Sequence, residues 1–247
     1  MSIEHSEAVV LRGVDYSQTS RIVTFLAPRR GRLACIAKGV RRPRSGQAAA
    51  LDTFNRVDIG FVWKESRAVQ TLTECAVIDS FDALKSDLDR SARASVAIEI
   101  ALRVAHDNEP SEALYAALVD GLGELSGAPG PADAIACRVV LRLLAAAGFA
   151  PSVDVCCITG ARVIGAAGFS LDGGVTVSRE HTDRALSADD VALLQRIAGS
   201  TPVAEGTDAA PLLKLLCMYA ERQLDITLRS TRVLEQLTGR PERARSN

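Results

Sequence analysis

The residues best suited to specific chemistry are the cations of one short stretch, "AKGVRRPRSG" at residues 37–46. Residues 28–51, which include this stretch, hold seven Lys or Arg and no Asp or Glu. Spaced cations neutralise several phosphates of a nucleic acid at once, and each contact releases condensed counterions. The guanidinium fork of arginine also holds phosphate oxygens in a bidentate manner. The stretch therefore predicts a surface that binds a polyanion.

The charge of the whole chain hides an asymmetry between its two parts. The 247 residues carry a formal net charge of −1, but residues 1–50 alone carry +6, which leaves −7 for the remainder. Such a division indicates a polyanion-binding end on an acidic body, and a basic face that is merely solvated is the alternative. The candidate nucleic-acid-binding residues are Arg12, Arg21, Arg29, Arg30, Arg32, Lys38, Arg41, Arg42 and Arg44.

Motifs of known catalytic chemistry are missing from the sequence. It contains no P-loop, no H-E-x-x-H and no G-x-S-x-G. The stretch "GLGELSG" follows a helical pattern rather than a strand, so it predicts the end of a helix and not a dinucleotide loop. The three histidines are far apart in the sequence. We therefore expect no catalytic residue and no enzymatic turnover.

Cysteine usage and hydropathy predict a cytoplasmic protein without a membrane partner. The six cysteines are scattered over the chain, whereas a secreted disulfide framework is small and cysteine-dense. No apolar run reaches the roughly 20 residues that span a bilayer. The first ten residues contain acids where a secretory signal carries basic residues followed by an apolar segment.

Five β-rich runs occupy the first eighty residues and predict how the cations are displayed. They are "EAVVLRGV", "SRIVTFLA", "RLACIAKG", "RVDIGFVW" and "AVQTLTECAVID". Short turns between such runs favour a small barrel, and a five-stranded, partly open barrel of this size is the OB-fold, a common nucleic-acid binder. The turn "PRRG" predicts a hairpin in which Gly31 takes a positive φ. Among the barrel aromatics, Tyr16 and Trp63 are the best candidates for contact with a base.

Helical periodicity replaces the β pattern after residue 80. Apolar residues recur at spacings of three and four through residues 81–150, and helices return over residues 187–240. Residues 151–186 lose this period and form a turn-rich insert, and residues 241–247 are expected to be a flexible tail. We therefore predict an α+β fold with an N-terminal barrel over residues 1–80 and an otherwise all-α body.

Three segments, taken in order, resemble the RecO family of bacterial recombination mediators. They are "EAVVLRGVDYSQTSRIVTFLAPRRGRLACIAKGVRRPRS", "LRLLAAAGFAPSVDVCCITG" and "YAERQLDITLRSTRVLEQL". The resemblance implies an OB barrel, a helical body and a small zinc-ribbon-like insert. It also implies binding of single- and double-stranded DNA, strand annealing, and help in loading RecA onto DNA coated by single-strand-binding protein. The implied partners are RecR and the acidic C-terminal tail of single-strand-binding protein, and the implied location is the cytoplasm, at the nucleoid.

The metal site implied by the resemblance is degenerate in this chain. Zinc-bearing members use two C-x-x-C pairs; Cys156 matches the first ligand, but Thr159, Val177 and Glu180 stand at the other three positions. We therefore expect no cofactor and no zinc, with "FSLDGGVTVSRE" still forming a hairpin and Val177 packing in place of the metal. The alternative is a rescued site built from Cys156, Cys157, Glu180 and His181.

The helical body offers a candidate surface for the acidic tail. A tail tipped by an aromatic residue needs an apolar groove rimmed by Arg or Lys. Arg103, Arg138 and Arg142 lie between apolar rows of the predicted helices and are the candidates, although solvated arginines with buried stems give the same pattern.

A second function remains open at this point. A non-enzymatic OB-fold protein that binds RNA or assists assembly would show the same basic stretch, because phosphate contacts serve DNA and RNA alike.

Overall fold

Alternating apolar residues close the first five strands into a barrel in the computed structural model, which describes residues 2–42 and 47–238. The strands are β1 (Ser2–Asp15), β2 (Arg21–Ala27), β3 (Gly31–Ala37), β4 (Arg56–Trp63) and β5 (Val69–Asp79). Their order around the barrel is β1-β2-β3-β5-β4, with β3 and β5 parallel and the other described pairs antiparallel. This is the topology of an OB-fold, so the predicted fold of this segment is confirmed. The predicted tail and Arg44 lie outside the described residues.

The barrel strands use their two faces for two different cores. Every second residue of β2 and β3 points into the barrel interior, where Phe25 and Leu33 are almost fully buried. On the outer face, Val9, Leu11 and Leu26 belong to the core of the helical body. A register shift between Val10 and Arg12 marks a β-bulge in β1. The barrel therefore shares apolar surface with the rest of the chain.

The helical periodicity correctly predicts the elements of the body. The helices are α1 (Asp82–Ser86), α2 (Leu88–Val104), α3 (Glu112–Gly127), α4 (Ala132–Ala146), α5 (Ala188–Ala198), α6 (Ala210–Leu224) and α7 (Ser230–Thr238). Short 3-10 helices occur at Ala49–Leu51 and Arg179–His181. Among the described residues, no helix combines the length and apolar character needed to cross a bilayer.

One glycine inside α3, Gly121, serves close helix packing. A Cβ on Gly121 would lie 2.6 Å from Val139 Cγ1 of α4, so only glycine permits this approach. The helix runs on to Gly127 despite the low helix propensity of glycine, because tertiary packing outweighs local preference.

The insert at residues 151–186 forms a three-stranded sheet that shares the core of the helices. Its strands are β6 (Ala167–Ser170), β7 (Gly174–Thr176) and β8 (Arg184–Leu186), in the order β7-β6-β8. The antiparallel pairing of β6 with β7 confirms the predicted hairpin. Phe169 and Val175 are fully buried in the helical core, and the Phe169 ring meets Tyr219 of α6 edge-on at 5.8 Å.

The β2–β3 turn is seated on the loop between α2 and α3. Arg32 N donates to His106 O at 2.9 Å, and Asn108 N donates to Arg32 O at 3.3 Å. The Arg32 guanidinium also pairs with Asp107, with Nε 2.6 Å from Oδ1. Gly31 has a φ of +53°, as predicted for this turn, and a Cβ there would collide with the carbonyl oxygens of Glu109 and His106. The contact between barrel and body thus depends on the absence of a side chain at one position.

Replacing Gly31 with alanine should therefore lower the free energy of unfolding by more than the strain of a positive φ alone. Gly148 has a φ of +82° and open space around it, so it is the matched control. Gly148→Ala should cost about 1 kcal/mol in free energy of unfolding. Gly31→Ala should cost about 3 kcal/mol, because backbone at the interface must also move. Urea denaturation followed by circular dichroism measures both losses, and equal losses would contradict this account of the interface.

Candidate nucleic-acid interface

Most of the described predicted cations fall at two ends of the β2–β3 hairpin, whereas Arg12 lies on β1 opposite Thr24, midway along β2. Arg21 is paired in register with Ala37 at one end, and Ala27 with Gly31 at the other. The two ends are roughly 20 Å apart, since each residue of a strand advances about 3.3 Å. We call the end at the β2–β3 turn the closed end and the end at Arg21 and Lys38 the open end.

At the closed end, two of the three arginines are used in contacts within the chain. Arg30 donates to both carboxylate oxygens of Glu4, at 2.7 Å and 2.9 Å from Nη2, and its Cζ lies 4.0 Å from the centre of the Trp63 ring. Arg32 holds Asp107 and also donates to Leu102 O. Arg29 is exposed in the turn. The arginines of the closed end therefore serve mainly contacts within the protein itself.

At the open end, two loops are fastened to each other. We call residues 16–20, between β1 and β2, and residues 38–42, after β3, the loop pair. Arg41 N donates to Thr19 O at 3.1 Å, and Arg41 Nη1 donates to Ser17 O at 3.2 Å. The β1–β2 turn is closed by a hydrogen bond from Tyr16 N to Ser20 O at 3.0 Å.

The loop pair and its flanking strands carry an excess of positive charge. Asp15 is the nearby carboxylate, 4.0 Å from Arg21 Nε and 3.4 Å from Arg41 Nη2. The Arg21 side chain lies across the backbone of Gly13, where a Cβ would leave no room for it. The cations that are exposed and form no ion pair with the described part of the chain are Arg12, Lys38 and Arg42.

This geometry can bind a phosphate chain. Arg21 of β2 and Arg41 of the second loop meet at Asp15 at one end of the barrel, and Lys38 and Arg42 are exposed on the same loop as Arg41. Asp15 was not among the residues predicted from the sequence. Its partner Arg41 is held by a hydrogen bond to the carbonyl of Ser17, 24 residues earlier in the chain. No sequence pattern indicates a contact between residues so far apart.

A second cluster of arginines lines a cleft on the helical body. Arg138 Nε donates to Glu124 Oε2 at 2.9 Å, and Arg142 donates to the other oxygen of the same carboxylate. Burial alone would raise the pKa of Glu124, but the hydrogen bonds from Arg142 and Arg138 outweigh it and hold that pKa below its usual value. The cleft has a volume of about 440 Å³ and is lined by Glu124, Ala128, Pro129, Gly130, Pro131, Ala134, Ile135, Arg138, Arg142, Ser200, Pro202 and Val203.

Arg103, the third arginine predicted for this surface, does not line that cleft. It lies on α2, one turn from Glu99. The Glu99 carboxylate accepts hydrogen bonds from Arg229 N and Ser230 N, at 3.0 Å and 2.9 Å, where α7 begins. The structure thus groups two of the three predicted arginines and separates the third.

The insert does not bring metal ligands together. Cys156 Sγ lies 3.7 Å from Thr176 Oγ1 and accepts from Val177 N at 3.5 Å, whereas Cys157 Sγ is directed at Gly174 O. Within the described residues, no group of three or more His, Cys, Asp or Glu side chains is placed to hold a metal ion. The donor set of the predicted ribbon therefore does not fit zinc, which needs four tetrahedral ligands.

The sequence prediction for Val177 is wrong. Its side chain is 56% exposed, so it does not pack where a metal would sit. The buried neighbour of the Cys156 thiol is Thr176, which is 0% exposed. Hydrogen bonds from the Thr159 hydroxyl and from the backbone of Val177 and Thr159 outweigh burial and lower the pKa of Cys156 to about 6.

Comparison with known proteins gives matches along almost the whole chain. Residues 1–81 match the family model described as "Recombination protein O N terminal", and residues 85–232 match "Recombination protein O C terminal". A protein of Exiguobacterium sibiricum named "DNA repair protein RecO" is 32% identical over 248 residues, which cover 95% of this chain and 97% of that protein. Proteins of the same name from Anaeromyxobacter dehalogenans and Bifidobacterium longum subsp. infantis are 32% and 31% identical, and each alignment covers at least 93% of both chains.

Proposed function

This chain belongs to the RecO family of DNA repair proteins, and we propose on that premise that it is a recombination mediator that binds DNA at the open end of its barrel. In this proposal it holds single- and double-stranded DNA and anneals complementary strands. Together with RecR, it helps RecA replace single-strand-binding protein on single strands. It acts without catalytic turnover, in the cytoplasm at the nucleoid.

The observation that carries the proposal is the convergence of cations on the loop pair. Arg21 and Arg41 share one carboxylate, Lys38 and Arg42 are exposed on the same loop as Arg41, and Arg12 is exposed further along β1. Arg44 continues this stretch in the sequence and lies outside the described residues. Contacts of this type recognise the phosphate chain and not the sequence, which suits a protein that must act on any damaged locus.

Annealing follows from the same electrostatics. Two complementary strands repel each other through their phosphates, and this repulsion opposes their encounter. A surface that neutralises part of the phosphate charge on both strands lowers that barrier while leaving the bases free to pair. No covalent chemistry is needed for this activity.

Removing charge from residues 41–44 should weaken DNA binding broadly. Changing Arg41, Arg42 and Arg44 to alanine should lower the affinity for single-stranded DNA and reduce the slope of log affinity against log salt by about 2, given about 0.7 per lost phosphate contact. Fluorescence anisotropy with labelled oligonucleotides at several salt concentrations measures both. The change should be the same for different base sequences.

A matched control removes equal charge from the insert. Arg162, Arg179 and Arg184 are exposed there, and their joint change to alanine should leave the affinity within about twofold. Asp15→Asn should act in the opposite direction and raise the affinity by roughly twofold or more, because it frees Arg21 and Arg41. Equal losses of DNA affinity in the two triple variants would contradict the proposal that DNA binds at the open end. Running single-stranded RNA of equal length beside the DNA separates the mediator from an RNA-binding protein.

For the acidic tail of single-strand-binding protein, we propose the cleft of Arg138 and Arg142. Its walls are formed by proline, alanine, isoleucine and valine side chains, which suit an aromatic ring, and the two guanidinium groups stand at its edge. Glu124 occupies both arginines in the free protein. A carboxylate of the tail would take over these hydrogen bonds from Glu124.

A labelled acidic peptide that ends in phenylalanine tests this cleft. Arg138→Ala should weaken its binding roughly tenfold or more, since a charged hydrogen bond is lost. Glu124→Gln should strengthen binding because the arginines are released. Arg103→Ala is the control, since Arg103 lies outside the cleft. Anisotropy gives the affinities, and an equal loss with Arg103→Ala would exclude the cleft as the specific site.

The insert, we propose, is ordered without a metal ion. Its apolar residues Phe169 and Val175 are buried in the helical core, and the Cys156 thiol is held by hydrogen bonds. Purified protein should therefore contain far less than one zinc per chain by elemental analysis, and a chelator should leave the melting temperature unchanged. Changing Thr159, Val177 and Glu180 together to cysteine should introduce zinc binding in the insert. Stoichiometric zinc in the unaltered protein would overturn the proposal.

A further inference from the structure

We propose that Tyr16 is the base-contacting side chain of the open end, and that it makes this site favour unpaired, single-stranded nucleic acid. The inference rests on the proposed function, because it assigns a role within the same surface. The observation behind it is an exposed aromatic ring, 66% accessible, on a loop that is tied to the cationic residues.

The other aromatic rings of the barrel are already occupied. Phe25, Phe54 and Phe61 are buried in apolar cores. Trp63 lies beneath the Arg30 guanidinium at 4.0 Å and meets the edge of Phe61 at 6.4 Å. Residues 43–46, which the structure does not describe, contain no aromatic residue. Tyr16 is therefore the barrel ring that is open to a ligand.

Nothing in the described part of the chain engages the Tyr16 side chain. Its ring makes no aromatic or cation–π contact there, and its hydroxyl has no hydrogen-bond partner there. Its neighbour Val14 is 46% exposed, so the surface around the ring is partly apolar. An exposed tyrosine beside an exposed valine leaves apolar surface in contact with water and offers a flat face to a base.

The loop that carries the ring is ordered by several hydrogen bonds. Tyr16 N and Ser17 N both donate to Ser20 O, at 3.0 Å and 3.4 Å, and Ser20 N donates back to Ser17 Oγ at 3.2 Å. The second loop clamps it through Arg41, which donates to Ser17 O and Thr19 O. A ring on a fixed loop loses little conformational entropy on binding, so stacking is not offset by ordering of the backbone.

The same contacts set the backbone of Tyr16 beside the phosphate-binding groups. Arg41 reaches the carbonyl of Ser17, the residue after Tyr16, and Asp15, the residue before it, lies against Arg21 and Arg41. A base that stacks on the ring therefore leaves its own phosphates close to two guanidinium groups. Bases of a duplex are stacked on each other and cannot reach the ring without unstacking, so duplex DNA keeps only the phosphate contacts.

Three ligands of equal length separate stacking from charge: a thymidine oligonucleotide, an abasic strand with the same phosphates, and a duplex. Tyr16→Ala should lower the affinity for the thymidine strand roughly 5- to 100-fold. It should leave the affinities for the abasic strand and the duplex within about twofold. Tyr16→Phe keeps the ring and should bind all three ligands as the unaltered protein does.

A spectroscopic variant reports on the ring itself. In a Trp63→Phe background, Tyr16→Trp places the only indole of the chain on the loop. The thymidine strand should quench its emission, and the abasic strand should not, because only a stacked base reaches the excited ring.

The outcomes distinguish the inference from the function on which it rests. An equal loss of affinity for the thymidine and abasic strands in Tyr16→Ala would mean that the ring only supports the loop, and would overturn the inference. No loss on any ligand would overturn it as well, while the arginine variants could still bear out DNA binding. Failure of the unaltered protein to bind any of the three ligands would overturn the proposed function itself.

Discussion

The seating of the β2–β3 turn on the α2–α3 loop constrains everything else about the barrel. Three backbone hydrogen bonds, one of them from Ser111 N to Pro28 O, and the Arg32–Asp107 pair fix one end of the hairpin to the helical body, and Gly31 permits the approach. Once that end is closed, Arg30 and Arg32 neutralise internal carboxylates instead of phosphates. We expect a polyanion at the opposite end, where the two loops are hydrogen-bonded to each other and Val40 packs into the barrel core.

Sequence patterns predicted the elements well because the elements depend on local order. Alternating apolar residues predicted the five strands, and apolar residues at spacings of three and four predicted the helices of the body. The turn "PRRG" predicted the hairpin with its positive φ at Gly31. The pairing of individual cations was not accessible in this way. Glu4 lies 26 residues from Arg30, and Asp107 lies 75 residues from Arg32, so neither ion pair leaves a short-range signal. A count of basic residues therefore predicts an interface but overstates the number of cations free to form it.

The contacts of the insert with the helices support the proposal that it is ordered without a metal ion. Burying side chains such as Phe169 and Val175 contributes roughly 1.5–3 kcal/mol each, and both lie in the core of the helices rather than in a core of their own. Gln195 of α5 and Gln223 of α6 donate to backbone carbonyls of the insert, at 3.1 Å and 2.8 Å. In the proposed metal-free state, these contacts with the helices take the place of a metal centre. The sequence indicated the lost ligands but not this docking, which joins residues far apart in the chain.

Both candidate binding surfaces use one physical arrangement: two arginines that share an internal carboxylate. Asp15 stands between Arg21 and Arg41, and Glu124 holds Arg138 and Arg142. The shared carboxylate orients the guanidinium groups before a ligand arrives, so less side-chain entropy is lost on binding. Ligand binding then replaces the internal carboxylate with an anionic group of the ligand, which lowers the net gain in binding free energy. Moderate, salt-sensitive affinity follows, because part of the charge is already neutralised. Such affinity is what a protein needs if it must hold a strand long enough to pair or pass it on, and then release it.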